Sequence, residues 1–215
     1  MTPGAAQVPV WHWGDPVEPL AACLERGGLI AIPTESSYGL GADPGNSRGV
    51  AAVYRLKGRS ADQPLPVVVA DLHQLPGLGI AADLPILERL SQGWPGPLSV
   101  LLPLSRPLPA AAGAGSLAVR IPGHARLRSL LAALDRPLTA TSANRSGEAP
   151  ILDPAALPAL LAGFDAVVID DGRLPGGPPS TLVEPTASGV RVLREGSFGR
   201  ARLAALLAPG GRLDA

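Results

Sequence analysis

The chain has 215 residues, 46% of them apolar, with 26 Gly, 25 Pro, one Cys and a formal net charge of zero. This is enough apolar mass to core one large domain or two small ones, and Gly and Pro punctuate apolar runs instead of forming low-complexity tracts. Zero net charge argues against a general electrostatic grip on nucleic acid, no apolar run reaches bilayer length, and no basic segment precedes an apolar one as in a signal peptide.

Residues 1–15 read as an irregular arm, with Trp11 and Trp13 packing on the body. Val17 to Arg26 reads as a helix stopped by Gly27-Gly28. Leu29 to Ile32 is a continuous apolar run bounded by glycines and Pro33, which predicts a short buried strand. Thr34, Glu35, Ser36, Ser37 and Tyr38 follow where that strand emerges, and ligands of open α/β sheets bind at such ends. An ordinary turn, with Ser and Thr bonding their own backbone, is the plain alternative. Asn46 caps a helix running through about Leu56. Leu65 to Ala70 is a predicted strand and Leu84 to Leu90 a short helix. Further strands are predicted at Leu98 to Leu102 and Leu117 to Ile121, then a helix at Arg126 to Leu134 and a brief strand at Leu138 to Thr141. Pro154 to Leu161 reads as helix, and Val167 to Ile169, Thr181 to Val183 and Val190 to Leu193 as strands. A helix at Arg202 to Leu207 closes the series. Helices and strands are interspersed, yet some strand pairs have connections too short for a crossover helix. The expected fold is therefore α/β with a mixed sheet, in one domain, with no repeat and no linker.

Few residues carry obvious chemistry. His12, His73 and His124 lack a Cys or His partner at ligand spacing, which argues against zinc. Cys23 falls in an apolar helical pattern and reads as core; a lone cysteine rules out an internal disulfide framework and suits a reducing cytoplasm. There is no Walker phosphate loop and no G-x-S-x-G elbow. Lys57-Gly58-Arg59 stands at a predicted helix end, where a cation and a glycine also serve as ordinary caps. Lys57 is the single lysine among seventeen arginines, and a compact ammonium is not interchangeable with a flat guanidinium. Thr141 to Gly147, T-S-A-N-R-S-G, follows a strand and reads equally as a turn. Arg120 stands alone on the apolar strand L-A-V-R-I-P, where an unpaired charge is costly. It calls for an anionic partner, either a protein carboxylate or a ligand.

P-T-E-S-S-Y-G-L-G, K-G-R-S-A-D-Q-P-L, W-P-G-P-L-S, V-R-I-P, T-S-A-N-R-S-G, P-S-T-L-V and V-L-R-E-G occur here in the order found in YrdC-like proteins. The chain resembles that family, the threonylcarbamoyl-AMP synthases of tRNA modification, over about residues 17–200. The resemblance implies a twisted, open mixed sheet with flanking helices around a large concave cavity. It implies an enzyme joining L-threonine, bicarbonate (or CO2) and ATP into threonylcarbamoyl-adenylate and pyrophosphate. It also implies a K-x-R and S-x-N tetrad, here Lys57, Arg59, Ser142 and Asn144. Arg59, Ser142, Gln63, Ser116 and Arg194 match positions that contact ATP. Ser36, Arg120, Ser180 and, through its backbone, Ala140 match the threonine pocket. Mg2+ is expected to arrive with ATP, since no carboxylate cage is visible. Implied partners are tRNA or double-stranded RNA in the cavity and downstream threonylcarbamoyl-transferase proteins, with no membrane and a cytoplasmic location. The chain departs from the family pattern at Ser36 (commonly threonine), Val68 (commonly histidine) and Pro150 (serine in some relatives), and it ends too early for the C-terminal domain of longer members. The alternatives are a non-catalytic RNA- or nucleotide-binding module on the same fold and a carbamoyl-transfer domain of the kind found in hydrogenase-maturation proteins.

Overall fold

The computed structural model describes residues 7–81, 83–187, 189–207 and 212–214. The chain opens with β1 (Val10–Trp11), α1 (Glu18–Glu25), β2 (Leu29–Pro33), β3 (Tyr38–Gly41), α2 (Ser47–Lys57), β4 (Val67–Val68) and α3 (Pro85–Leu90). Next come β5 (Leu98–Pro103), β6 (Ser116–Arg120), α4 (Ala125–Ala133), β7 (Leu138–Thr139) and β8 (Thr141–Ser142). The last elements are α5 (Leu157–Leu161), β9 (Ala166–Ile169), β10 (Thr181–Pro185), β11 (Gly189–Arg194), α6 (Arg200–Leu207) and β12 (Arg212–Asp214). The fold is mixed α/β, with two sheets where the sequence suggested one. The first runs β1-β9-β2-β3-β8 and the second β12-β11-β10-β5-β6-β4-β7. Each combines parallel pairs, such as β2 with β9 and β5 with β10, with antiparallel ones, such as β2 with β3 and β10 with β11.

β2 explains its own apolar run. Leu29 and Ala31 enter the larger core, while Ile30 and Ile32 enter a second one with Leu20, Cys23 and Leu24 of α1 and Leu127, Leu130 and Leu131 of α4. A strand covered on both faces needs no polar alternation. Cys23 is a core residue, as its position in the apolar pattern suggested.

Sequence reasoning missed β3, Y-G-L-G, because glycine weakens the strand signal. The structure needs those glycines. A Cβ on Gly41 would lie 3.1 Å from the Ile30 carbonyl oxygen, and one on Gly39 3.3 Å from that of Thr141. The predicted strand Leu65 to Ala70 shortens to β4, since Pro64 and Pro66 have no N–H to donate. The N-terminal arm is partly regular: Val10–Trp11 pairs with Val168–Ile169, and Trp11 is buried.

The most informative difference lies at Leu138 to Thr141, predicted as one strand. β7 joins the seven-stranded sheet and β8 the five-stranded one, so the chain changes sheet at Ala140. The Ala140 N–H donates to the Pro66 carbonyl at 2.8 Å, and the Thr139 hydroxyl donates to Leu40 O and accepts from Ala42 N, each at 2.9 Å. At this seam between the sheets a concavity opens.

Candidate active site

α2 is capped at both ends by its own sequence. Asn46 Oδ1 accepts from the N–H groups of Arg48 and Gly49 at 3.0 and 3.3 Å. Gly58 ends the helix with φ 60°, a left-handed conformation that glycine adopts without a Cβ penalty. The capping reading of Lys57-Gly58-Arg59 therefore holds, and it leaves room for chemistry, because the turn sends the two cations to different places.

Lys57 turns inward. Its Nζ donates to Ser142 O at 2.7 Å, Asn144 O at 3.2 Å and Asn144 Oδ1 at 2.8 Å. Ser142 Oγ donates to the same Asn144 Oδ1 at 2.7 Å, and Asn144 Nδ2 donates to Glu148 O at 2.6 Å. Lys57 is 5% exposed and Asn144 8%. Burial, then the charge of Arg59, pushes the Lys57 pKa down to about 8. Three of the four tetrad residues thus form one hydrogen-bonded knot.

Arg59, the fourth, faces a cavity of about 560 Å³. Thr34, Ser36, Ser37, Tyr38 and Gly39 of the β2–β3 segment line it with Thr141 and Ser142 of β8. Val67 and Val68 of β4, Ser99 and Leu101 of β5, Ala118 and Arg120 of β6, and Leu182 and Arg194 of β10 and β11 supply the opposite wall. Its lining holds three arginines, Arg59, Arg120 and Arg194, and no carboxylate. The Arg59 Nη2 donates to Gln63 O at 3.2 Å and Pro64 O at 3.4 Å, while its Nε is buried with no hydrogen-bond partner among the described residues.

Of the residues singled out from sequence, Ser36, Arg59, Arg120, Ala140, Ser142, Ser180 and Arg194 line this cavity. Lys57, Asn144, Gln63 and Ser116 are not in the lining. Gln63 is exposed beside the lining residue Pro64, and Ser116 shares the alternating face of β6 with Ala118 and Arg120. The departures at Val68 and Pro150 both fall on the lining.

Arg120 does have a protein carboxylate: its Nη1 donates to Glu35 Oε1 at 2.6 Å, and the same oxygen accepts from Gly123 N at 2.6 Å. Burial alone would raise the Glu35 pKa, but the Arg120 charge and these hydrogen bonds outweigh it and hold the carboxyl below its ordinary value. Arg194 donates twice to Ser180 O, from Nε at 3.2 Å and Nη2 at 2.9 Å, and burial followed by the charge of Arg120 lowers its pKa. Ser180 Oγ lies 2.8 Å from Ser99 Oγ. Sequence reasoning missed Glu35 and Ser99. Glu35 was within reach, since it sits in the polar stretch after β2 and Arg120 required an anion.

No group of three His, Cys, Asp or Glu side chains that could hold a metal occurs among the described residues. No helix there is long and apolar enough to cross a membrane.

The Sua5/YciO/YrdC family model, described as "Telomere recombination", matches residues 22–196. The chain belongs to this family. A Chromohalobacter salexigens relative named threonylcarbamoyl-AMP synthase is 38% identical over 172 residues, covering 78% of this chain and 91% of the relative. One of the same name from Pyrococcus abyssi is 35% identical over 182 residues, and there the match covers 83% of this chain but 53% of the relative. The solved structure of P. abyssi Sua5 complexed with L-threonine superposes with a TM-score of 0.82 at 28% identity, covering 96% of this chain and 62% of that one. In this Sua5/YciO/YrdC chain the cavity at the sheet seam gathers three arginines, of which Arg120 is paired with Glu35.

Proposed function

We propose that this chain is an L-threonylcarbamoyladenylate synthase, a nucleotidyl-transferring enzyme. It joins L-threonine, bicarbonate or CO2, and ATP into threonylcarbamoyl-AMP and pyrophosphate. The observation that carries the reading is the convergence of Arg59, Arg120 and Arg194 on one cavity without a lining carboxylate. A volume of about 560 Å³ falls in the range of small-ligand sites. The names of the relatives and the threonine-bound structure support it.

The chemistry asks for two anion sites side by side. Arg120 takes the threonine carboxylate, with Ser36 and Ser180 as a hydroxyl wall for the side chain. Guanidinium and carboxylate match as a forked pair. The Ala140 N–H is already given to Pro66, so its carbonyl is the group that accepts from the threonine amine. Arg59 and Arg194 face the phosphates together with the Ser142 hydroxyl. Gln63 and Ser116 serve the parts of the nucleotide that extend past the lining.

The neutral amine adds to the carbon of CO2, or to bicarbonate with loss of water, and gives a carbamate after losing a proton. A carbamate oxygen then bonds the α-phosphorus, and the bond to the bridging oxygen breaks as pyrophosphate leaves. Fixed guanidiniums stabilise the negative charge that builds on these oxygens. Lys57 does not line the cavity. It holds the Ser142–Asn144 turn, and so positions Ser142.

The lining residues offer no ligand set for Mg2+, so the ion enters as the companion of ATP and no step is assigned to it. The labile adenylate is then passed to threonylcarbamoyl-transferase proteins acting on tRNA in the cytoplasm. The test is pyrophosphate release from ATP with threonine and bicarbonate omitted in turn. Synthase activity requires both, whereas ATP or RNA binding without threonine-dependent release would favour the non-catalytic module.

A further inference from the structure

Glu35 has no place in the reaction as set out above, yet it is the carboxylate that meets one of the three cavity arginines. It lies between the lining residues Thr34 and Ser36 but is not itself in the lining. It belongs to the turn after β2 in the five-stranded sheet, whereas Arg120 ends β6 in the seven-stranded one. The pair therefore ties the two walls of the cavity together across the seam.

The geometry is selective. Glu35 Oε1 takes Arg120 Nη1 and the Gly123 N–H, each at 2.6 Å. A guanidinium has five N–H bonds, so this contact leaves others to serve a ligand. The turn that carries Glu35 is itself held: the Thr34 hydroxyl donates to Ser37 O at 2.7 Å, and Gly176 N donates to Ser36 O at 2.9 Å. Gly123 leaves space for the carboxylate, since a Cβ there would meet Glu35 Oε1 at 3.2 Å. Arg120 is 13% exposed on its side chain and Arg194 feels its charge. Without a counter-charge, the two guanidiniums would repel and Arg120 would lose its fixed direction.

We propose that Glu35 is the positioning residue of the amino-acid subsite: it holds one nitrogen of Arg120 from behind and aims the free N–H edge at the carboxylate of the bound amino acid. The inference deepens the synthase reading and rests on it. A bare ion pair kept for stability would, once one partner is removed, lower the stability of the whole protein without singling out one substrate. A positioning carboxylate acts on one substrate only.

The experiment is steady-state pyrophosphate release by Glu35→Ala, Glu35→Gln and Gly123→Ala, with melting curves and calorimetric threonine binding on the same preparations. Glu35→Ala is expected to raise KM for threonine by roughly tenfold or more, the scale of a lost charge-assisted hydrogen bond. KM for ATP should stay within about twofold. Glu35→Gln keeps an oxygen for both donors but removes the counter-charge, so it should recover only part of the loss. Gly123→Ala keeps every charge and displaces the carboxylate, so it should raise the threonine KM selectively, and it decides the matter if Glu35→Ala does not fold. An unchanged or lowered threonine KM overturns the inference. So does a parallel rise for ATP and threonine accompanied by a fall in Tm. If the wild-type protein releases no pyrophosphate in a threonine-dependent way, the synthase reading itself fails; a normal wild type with an indifferent Glu35→Ala sinks only the role of Glu35.

Discussion

Lys57 and Arg59 stand two residues apart on either side of Gly58, and their surroundings differ in kind. The ammonium of Lys57 is enclosed with three oxygens at 2.7–3.2 Å. The guanidinium of Arg59 opens on the cavity with its Nε unpartnered among the described residues. The same contrast separates the two halves of the site. The Lys57–Ser142–Asn144 knot is saturated with internal hydrogen bonds, whereas the arginine face retains donors that a ligand can use. A saturated group fixes geometry and an unsaturated one binds; Ser142 stands at the boundary, bonded to Asn144 and lining the cavity. Substitutions in the first should therefore reduce folding and activity together, and those in the second activity alone.

Lys57→Met breaks this contrast most severely, because it leaves Ser142 O, Asn144 O and Asn144 Oδ1 without their shared donor. Asn144 Oδ1 keeps the Ser142 hydroxyl, and the two carbonyls left unsatisfied cost about 1–3 kcal/mol each, so a loss of roughly 2 kcal/mol or more is expected in denaturant unfolding, with synthase activity gone. Lys57→Arg belongs with it. A helix-end cation would tolerate arginine, but a planar head is too large for a cradle built around a single nitrogen. Tm and activity should both fall. Retention of both would return Lys57 to a simple capping role.

Arg59→Ala tests the open half. Losing a preorganised cation at the transferring phosphate is expected to lower kcat/KM by about 10²–10³, or roughly 2–4 kcal/mol of transition-state stabilisation. Tm should move by only a few degrees. A large loss of stability would erase the distinction between the two halves. Smaller effects sharpen it: valine should be rejected strongly against threonine, since a hydroxyl wall is left unpaired, and serine should compete better, losing only a methyl worth about 1–3 kcal/mol. Product formation measured with each amino acid ranks them, and equal turnover of valine and threonine would remove Ser36 and Ser180 from the subsite.

Much of the fold and part of the site were readable in the sequence, for physical reasons. β2 was legible because a strand buried on both faces is continuously apolar. α2 was legible because Asn46 and Gly58 mark its ends. Arg120 announced a partner because a charge on an apolar strand needs one. What could not be read depends on contacts distant in the chain. β3 hides behind glycines whose purpose is the approach of β2 and β8. The switch of sheets at Ala140 leaves no trace in a run such as L-T-A-T, because each half is a good strand. Even the separation of Lys57 from Arg59 was invisible, since it is set by the left-handed Gly58 and by residues some 85 positions later.

A pH dependence should pull stability and activity in opposite directions. Lys57 has its pKa lowered by burial and by Arg59, from the ordinary lysine value of 10.5 to about 8. Between these values the unfolded chain still holds the proton that the folded chain has released. Stability then rises with pH across this window for this group, because the unfolded state binds more protons. Activity should move the other way. Neutral Lys57 has two N–H bonds for three oxygens, so one contact to the Ser142–Asn144 turn is lost and Ser142 is less firmly placed. Pyrophosphate release at saturating substrates should decline as pH rises through about 8, while the denaturation midpoint holds or increases. Glu35, held below its ordinary value by Arg120, stays ionised throughout and does not mask the effect. A parallel fall in stability and activity over this range would mean that the knot loosens as a whole. Constant activity would mean that its geometry does not depend on the lysine proton.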